Sequence, residues 1–402
     1  MALGAAAAMA ANAQSPYSKF GYGLLQDNAT AAQNQMGGVG YAMSSGRHIN
    51  VKNPASYANA DTLTFLFDMG VNFKSIKSTE DGTKDTRYGG GLDYITMQVP
   101  IGRWMGASVG LIPFSDVDYS FGNEIVHGHN AHEGSGGLSQ LYLGWAARPI
   151  KGLSVGFNAS YLFGSVINDL YVYQTGATST SLYEQVMKVR DYRFQFGVQY
   201  SYRFNPKHRA TVGLTYSPSK ALLGHAYVTA YDINSDTAPE EKEAAKLRHH
   251  ASIPETWGVG VNYQMDTRLQ VEADFTYQPW SKAKTMSMEY FEATHFADRY
   301  AFNLGGEFTP AALRGGFFQR TTYRAGMFYN RDYMMVGDNH VKEYGLTFGF
   351  GFPAFSSKTQ INLGFEFRHR QATPNPLVKE NYFNIRLGIN FNELWFYQNK
   401  IK

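Results

Sequence analysis

The chain has 402 residues, and its composition excludes several classes of protein. Its 36 Lys and Arg face 33 Asp and Glu, a balance that gives no support to nucleic-acid binding. An apolar content of 44% argues against disorder. The absence of cysteine excludes disulfides, thiol nucleophiles and thiolate metal sites. What remains is a folded chain in which aromatic residues reach 15% and charged residues only 17%.

The chain begins with an alanine-rich stretch. Ala11 and Ala13 have the small side chains and spacing of a signal-peptidase site, with cleavage before Gln14. We therefore expect residues 1–13 to be a signal peptide or its remnant. Because the stretch lacks the usual basic start, a flexible alanine-rich tail is the alternative. No later run reaches the ~18 apolar residues that a transmembrane helix requires.

From residue 62 onward, apolar and polar residues alternate over long segments. In residues 192–204, for example, Tyr, Phe and Val hold every even position, and Arg, Gln, Gly and Ser hold every odd one. Successive side chains of a strand point to opposite faces, so each segment has one apolar face and one polar face. A soluble β-sandwich also alternates, but its strands are usually only about 5–6 residues long. Long segments with an aromatic-rich face favour a membrane barrel, whose apolar face lies in lipid.

Fourteen such segments can be counted along the chain. They lie at 62–77, 86–100, 104–122, 138–148, 152–172, 185–204, 208–231, 253–264, 267–283, 294–308, 319–330, 341–352, 359–370 and 381–397. Tight connections such as 205–207 alternate with longer ones such as 123–137 and 232–252. Bacterial barrels have short periplasmic turns and longer outer loops, which predicts that both termini are periplasmic. The sequence thus predicts an all-β membrane protein, a single antiparallel transmembrane β-barrel of about 14 strands (residues 62–402) embedded in outer-membrane lipid.

A leader precedes the barrel. Residues 14–61 are polar and rich in glycine, and they are too long for a simple tail. Because the side chains of a fourteen-strand wall are unlikely to fill its lumen, we expect this leader to fold inside as a hatch. A disordered periplasmic segment is the alternative.

Two short motifs in the leader carry a family resemblance. Met-Gly-Gly-Val-Gly at 36–40 and Asn-Pro-Ala at 53–55, followed by about fourteen amphipathic strands, resemble the FadL family. That family comprises outer-membrane transporters of long-chain fatty acids and other hydrophobic compounds, with the leader as a hatch in the barrel. The resemblance covers the mature chain in architecture but only these two stretches in motif. It implies a place in the hatch for Asn53, Pro54 and Ala55 only, whereas Gly37, Gly38 and Gly40 are predicted hatch residues because they belong to the same leader.

The third segment contains a proline. In relatives of FadL, the ligand leaves sideways into the membrane through a gap at a kink in the third strand. Pro113 lacks a ladder donor and is the candidate for that kink, with Phe114 beside it at the lateral opening. A bulge with no transport role is the alternative. Phe114 and Tyr119 are the predicted ligand contacts.

The predicted lumen face is rich in charge, which departs from what a hydrophobic ligand favours. Buried charges need partners, so we expect these residues to pair with one another and with the hatch. They are Asp68, Asp93, Arg193, Arg203, Glu272, Asp274, Glu307, Arg324, Glu366, Arg368 and Arg386.

Other chemistry has weak support. His127, His129 and His132 cluster in the predicted outer loop 123–137 and are weak candidates for metal ligands, because a glycine-rich loop offers no preformed site. Residues 240–246 are predicted to form a short charged helix. No hydrolase motif or phosphate-binding loop is found, so neither an enzyme nor a cofactor is predicted.

Two functions of different classes remain. The first is passive uptake of a hydrophobic small molecule past the hatch, with a possible lateral exit near Pro113. The second is a non-transporting barrel subunit that contacts other outer-membrane proteins in a secretion or assembly complex. An apolar path through the barrel favours the first function, and a hatch locked by ion pairs favours the second.

Overall fold

The computed structural model describes residues 15–125, 128–176, 180–235, 237–311, 315–354 and 359–394. In these residues, fourteen long strands form one closed antiparallel barrel, which confirms the predicted fold class. The strands are β1 Thr64–Glu80, β2 Thr83–Pro100, β3 Met105–Ile125, β4 Gly128–Ile150, β5 Leu153–Gln174, β6 Thr180–Asn205, β7 His208–Ser217, β8 Thr256–Met265, β9 Leu269–Gln278, β10 Arg299–Phe308, β11 Thr322–Val336, β12 Asn339–Pro353, β13 Gln360–Thr373 and β14 Lys379–Leu394. The predicted signal peptide, 1–13, lies outside the described residues.

The barrel closes between its first and last strands. β14 pairs with β1 from Lys379–Thr79 to Leu394–Thr64, and this ladder satisfies the backbone groups of both strands. Alternation then separates the two faces: Phe73 points outward and is exposed, whereas Asp68 is fully buried in the lumen. Among the described residues, no helix has the length and apolarity of a transmembrane span.

The barrel has a turn end and a loop end. The turn end carries the β2–β3, β4–β5, β6–β7 and β8–β9 connections, and the loop end carries the β7–β8 and β9–β10 connections. Each end of the lumen has its own hydrophobic cluster. The larger cluster, at the loop end, includes Tyr22, Trp280 and Tyr333, and the smaller one, at the turn end, includes Tyr57 and Tyr142.

The sequence prediction was wrong about the loop between the third and fourth strands. Residues 123–137 do not form a loop, because β3 runs on to Ile125 and β4 begins at Gly128. β4 also pairs with β5 from Gly128–Gln174 onward. Pairing on both sides outweighs the low strand propensity of this glycine-rich stretch.

The seventh predicted segment, 208–231, is not a single strand. β7 ends at Ser217, immediately before Pro218, which cannot donate to a ladder. The chain then returns to β6 as the strand Gly224–Asp232, and Glu240–Lys246 pairs with that strand. The helix predicted at 240–246 is therefore a strand. We call the two paired strands, Gly224–Asp232 and Glu240–Lys246, the flap. A four-residue helix, Leu247–His250, follows it.

Residues 15–61 form a hatch inside the barrel. Its elements are short: a 3-10 helix Pro16–Lys19, a strand Leu24–Leu25, a helix Ala31–Asn34 and a 3-10 helix Pro54–Asn59. We call residues 15–26 the gate segment and residues 27–61 the plug. The gate segment reaches the loop-end cluster, and the plug fills the turn end.

Candidate functional site

The barrel wall is split between β2 and β3. These strands pair only from Pro100–Gly106 to Ile95–Leu111, so the remainder of each strand toward the loop end lacks the other as its partner. The divergence starts where the register between β3 and β4 shifts: Pro113 lies opposite Ser139, and Ser115 lies opposite Leu138. Phe114 is thus a bulge residue, and it lies with Pro113 at the inner end of the split.

The gate segment occupies this split. Leu24 pairs with Asp116 and Leu25 with Ser115, so the hatch adds a short strand to β3. Two main-chain hydrogen bonds extend this contact on either side. The Gln26 amide donates to the Phe114 carbonyl at 3.0 Å, and the Ser15 amide donates to the Asp118 carbonyl at 2.8 Å. The split is therefore closed by backbone pairing with the hatch and not by a wall strand.

A cavity of about 540 Å³ lies on the loop side of the gate segment. Its lining is mixed, and Phe20, Tyr22, Met187 and Phe296 are among the apolar residues. Polar groups also line it, including Lys19, His132 and Asn168. Tyr119, one predicted ligand contact, lines the cavity and donates its hydroxyl to Asn168 Oδ1 at 2.7 Å. The cavity and the split thus share the gate segment as a common wall.

Two buried carboxylates of β9 hold the plug. Glu272 Oε1 accepts hydrogen bonds from the amides of Ala42 at 2.8 Å and Met43 at 3.1 Å. Asp274 Oδ2 accepts from the amides of Gly40 at 2.7 Å and Tyr41 at 3.1 Å, and it lies 3.6 Å from the Lys52 ammonium. These lumen charges therefore serve as acceptors for backbone donors that would otherwise be buried without partners.

Glycines of the wall let the plug approach closely. A Cβ at Gly305 of β10 would lie 2.0 Å from the Met36 carbonyl oxygen. A Cβ at Gly213 of β7 would lie 1.8 Å from the Tyr41 carbonyl oxygen. Since real side chains never come this close, each of these positions requires glycine for the observed packing.

The predicted hatch glycines lie in the plug. Gly37 and Gly38 have φ angles of +70° and +79°, a region that favours glycine. The Gly37 amide donates to Thr347 Oγ1 at 2.8 Å, and Gly40 is one of the residues bound by Asp274. These glycines turn the chain against the wall.

The Asn-Pro-Ala stretch also lies in the plug. Asn53 is the N-cap of the helix Pro54–Asn59, and its Oδ1 accepts from the Ala55 amide at 3.1 Å. Its Nδ2 donates to the Tyr41 carbonyl at 2.6 Å and to the Val198 carbonyl of β6 at 3.3 Å. Asn53 therefore joins two parts of the plug to the wall.

Other predicted lumen charges form a network along β12 to β14. Glu366 accepts from Arg368 at 2.8 Å and also from Arg386, whose Nε lies 3.3 Å from Asp93 Oδ2. The network continues through Glu343 and Arg370, 2.7 Å apart, which the sequence analysis did not single out. Both residues share the lumen face of their strands, and the alternation alone was sufficient to find them.

Two further lumen carboxylates connect the wall to the plug through other residues. Glu307 binds Arg324 at 3.0 Å, and Arg324 donates to Gln35 of the plug at 3.0 Å. Asp68 accepts the Tyr94 hydroxyl at 2.7 Å, and that hydroxyl accepts from the Ala31 amide at 2.6 Å.

The two remaining predicted lumen charges have different positions. The Arg193 guanidinium lies 5.5 Å from the centre of the Phe114 ring and donates to Thr256 at 3.2 Å. Arg203 is exposed at the turn end of β6.

The candidate metal ligands do not come together in the part of the chain that is described. His127 lies outside the described residues. His129 stacks on Tyr173 with ring centres 4.4 Å apart, and His132 Nδ1 lies 3.4 Å from Lys19 Nζ. In the described ranges, no group of three or more His, Asp or Glu side chains is placed to hold a metal ion.

The closed fourteen-strand barrel with an internal hatch and a split between β2 and β3 has the fold of FadL-type barrels. Among solved structures, the Ralstonia pickettii toluene transporter TbuX is similar over 90% of this chain and 98% of its own, with 15% identity and a TM-score of 0.61. The Pseudomonas putida toluene transporter TodX is similar over 92% and 100%, with 14% identity and a TM-score of 0.60. A Pseudomonas aeruginosa FadL homologue is similar over 92% and 99%, with 13% identity and a TM-score of 0.60.

At the level of sequence, the match is to one particular family. The family model described as BamG matches residues 1–402, so the chain belongs to the BamG family. No curated protein matches the chain. The solved relatives are described as channels and transporters, and their likeness to this chain is one of fold.

Proposed function

We propose that the barrel takes up a hydrophobic small molecule through the outer membrane and releases it sideways. The molecule enters from the loop end, occupies the 540 Å³ cavity and leaves between β2 and β3 when the gate segment withdraws. The observation that carries this proposal is the gate segment itself, which forms a wall of the cavity and also fills the split. Both termini then lie on the periplasmic side, with the long connections outside.

The energetics favour a sideways path over a path through the plug. Opening the gate breaks its main-chain hydrogen bonds to β3, each contributing about 0.5–1.5 kcal/mol net, together with the side-chain hydrogen bonds of Ser15 and Tyr17 and the packing of Tyr22. Moving the plug would break the hydrogen bonds from four amides to Glu272 and Asp274, and hydrogen bonds to charged groups contribute about 1.5–3 kcal/mol each. The plug therefore stays in place while the gate segment moves, and the uptake is passive.

A second function, a non-transporting subunit of an outer-membrane assembly complex, is favoured by a different observation. The family name BamG supports it, and the family match covers the whole chain, whereas the transporters share only the fold. In this reading, the gate segment is a permanent part of the wall and the hatch never opens.

A disulfide across the split separates the two functions. Leu25→Cys and Ser115→Cys are directly paired positions, and paired strand residues have Cα atoms about 4.5–5.5 Å apart, within the range for a disulfide. The native chain has no cysteine, so the introduced pair forms a single bond. The control is Val109→Cys with Leu143→Cys, a paired position on β3 and β4 away from the gate segment.

Uptake of radiolabelled toluene into cells is then measured with and without reductant. If the proposal is right, the oxidised gate disulfide abolishes uptake, reductant restores it and the control disulfide has no effect. If the oxidised protein still takes up toluene, lateral release is wrong. If toluene uptake is absent from the unmodified protein, and the protein co-purifies with other outer-membrane proteins whether or not the gate is tethered, the subunit function replaces the transport function.

A further inference from the structure

The outward face of β6 changes character near the loop end. From Phe204 to Tyr192, every outward position is an exposed aromatic or aliphatic residue. These two residues lie twelve positions apart, which at about 3.3 Å per residue and a tilt of about 40° spans roughly 30 Å, the thickness of a hydrocarbon core. The next two outward positions are Arg190 and Lys188, so the first cations lie where the lipid-facing band ends.

The flap brings more cations to this level. Lys188 is paired with His225, and His225 is paired with Lys246 on the second flap strand. Directly paired residues point to the same face, so Lys188 and Lys246 flank His225 on the outward side. Arg248, on the helix that follows the flap, is also exposed. We call Lys188, Arg190, His225, Lys246 and Arg248 the basic patch.

The five residues surround a surface depression. Together with Leu223 and Gly224 they line a concavity of about 600 Å³ below the flap, mostly through the apolar atoms of their side chains, where β7 stops before Pro218. Gly224 has a φ of +147°, and a Cβ there would lie 2.1 Å from the Lys188 carbonyl oxygen. Glycine thus lets the flap join β6 and roof the depression without filling it.

The positive charge of the basic patch is not neutralised by the described residues. Neighbouring acids are engaged elsewhere: Asp191 pairs with Lys220 and Glu240 with Lys242. Outward of the patch, Glu184 accepts the Tyr231 hydroxyl at 3.2 Å, and Glu243 accepts the Glu289 amide at 2.8 Å. Like charges repel, so an anion bound beside Lys188, Arg190 and Lys246 would offset their repulsion.

We infer that the basic patch binds the phosphate groups of a membrane lipid. The patch faces outward and continues directly from the aromatic band, so a ligand that reaches it from the membrane places acyl chains along the band and an anionic headgroup against the exposed cations around the depression. Several clustered cations match a headgroup with more than one phosphate, such as a phosphorylated glycolipid of the outer leaflet. The assignment to the outer leaflet rests on the orientation in the proposed function, in which the loop end faces outward, but not on what the lumen carries.

Native mass spectrometry of the purified full-length barrel tests the site. The probes are bisphosphorylated lipid A, the same lipid with its phosphates removed, phosphatidylglycerol and inorganic phosphate. The variant is Lys188→Gln/Arg190→Gln/Lys246→Gln, and the matched control is Arg203→Gln/Lys207→Gln/Arg268→Gln, three exposed cations at the turn end. Heat-modifiable migration on a gel verifies that both variants are folded barrels.

Lipid A is expected to remain bound to the native and control proteins and to bind the patch variant roughly 100-fold more weakly, since each surface cation contributes about fivefold to binding of anionic lipid. Equal retention of dephosphorylated lipid A, or undiminished binding by the patch variant, would overturn the phosphate site. If inorganic phosphate binds the patch as tightly as lipid A and displaces it, the patch is a site for a soluble anion and not for a lipid. A preference for phosphatidylglycerol would overturn the assignment to an outer-leaflet glycolipid.

Discussion

The two ends of the lumen differ in what holds the hatch. At the turn end, the plug is bound by carboxylates such as Glu272 and Asp274 and pressed against wall glycines. At the loop end, the gate segment packs among aromatic side chains such as Trp280 and Tyr333 and borders a cavity. The gate segment also forms hydrogen bonds, to β3 and to Glu380, but among the described residues it makes none to the paired carboxylates that hold the plug. In the proposed uptake route, the plug is the fixed part of the hatch and the gate segment is the part that moves.

The largest expected effect comes from removing the acceptors of the plug. In Glu272→Ala/Asp274→Ala, the amides of residues 40–43 lose their partners, at about 1–3 kcal/mol for each buried donor. Hydrogen–deuterium exchange should become much faster in the plug and change little in the gate segment. Unchanged protection of residues 40–43 would contradict the assignment of these carboxylates as anchors.

A smaller effect is expected from the wall glycines. Gly305→Ala places a methyl group where it would lie 2.0 Å from the Met36 carbonyl, and overpacking of this kind costs about 1–3 kcal/mol. Exchange at residues 35–38 should increase. Gly91→Ala is the control, because nothing lies within 4 Å of its Cβ position. If exchange at residues 35–38 is the same in the two variants, the close contact between Gly305 and Met36 does not stabilise the plug.

Pro113→Ala tests whether the split beside β3 serves as the exit. The substitution returns an amide donor to β3 at the start of the split and favours continued pairing with a neighbouring strand. We expect toluene uptake to fall severalfold while exchange in the plug stays unchanged. Unchanged uptake would count against a lateral exit at this kink.

The smallest effect is a pH dependence in the plug. Burial, with a smaller contribution from the Arg324 cation, lowers the pKa of His48 from 6.5 to about 4. Since the released plug takes up a proton more readily than the folded one, the stability contributed by neutral His48 is present above pH 6.5 and declines as the pH falls toward 4. Exchange of the plug should therefore increase over this window in the native protein.

His48→Gln is the control for the pH experiment. This variant should lose the part of the pH dependence that belongs to His48, whatever other groups contribute. A pH profile identical to that of the native protein would contradict the assignment.

The barrel itself was predictable from the sequence, because a period of two is imposed by the backbone and lipid forces the apolar face outward. Strands that form only because another part of the chain lies beside them were not predictable. The flap strand Glu240–Lys246 has a helical composition and becomes extended only because Gly224–Asp232 lies beside it. The extension of β4 to Gly128 likewise depends on β5.

The site was predicted in part. Pro113 was singled out because proline lacks an amide donor for the ladder, and the alternation of polar and apolar residues predicted that Glu272 and Asp274 face the lumen. That the gate segment would complete the wall was not predictable, since Leu24 and Leu25 form a strand of only two residues without any periodic pattern. The basic patch was missed for a similar reason: its cations come from β6, the flap and the following helix, and only the fold brings them together.

The contacts of the hatch also constrain how the molecule is made. The Ser15 hydroxyl donates to Glu380 Oε1 at 2.7 Å, and the Ala372 amide donates to the Tyr17 hydroxyl at 3.0 Å, so the beginning of the hatch binds strands formed from the end of the chain. Such long sequence separations are costly to close and slow folding. The hatch emerges first during synthesis but obtains these partners last. The first residues of the hatch therefore cannot reach their final contacts before β13 and β14, the strands that complete the wall, have been made.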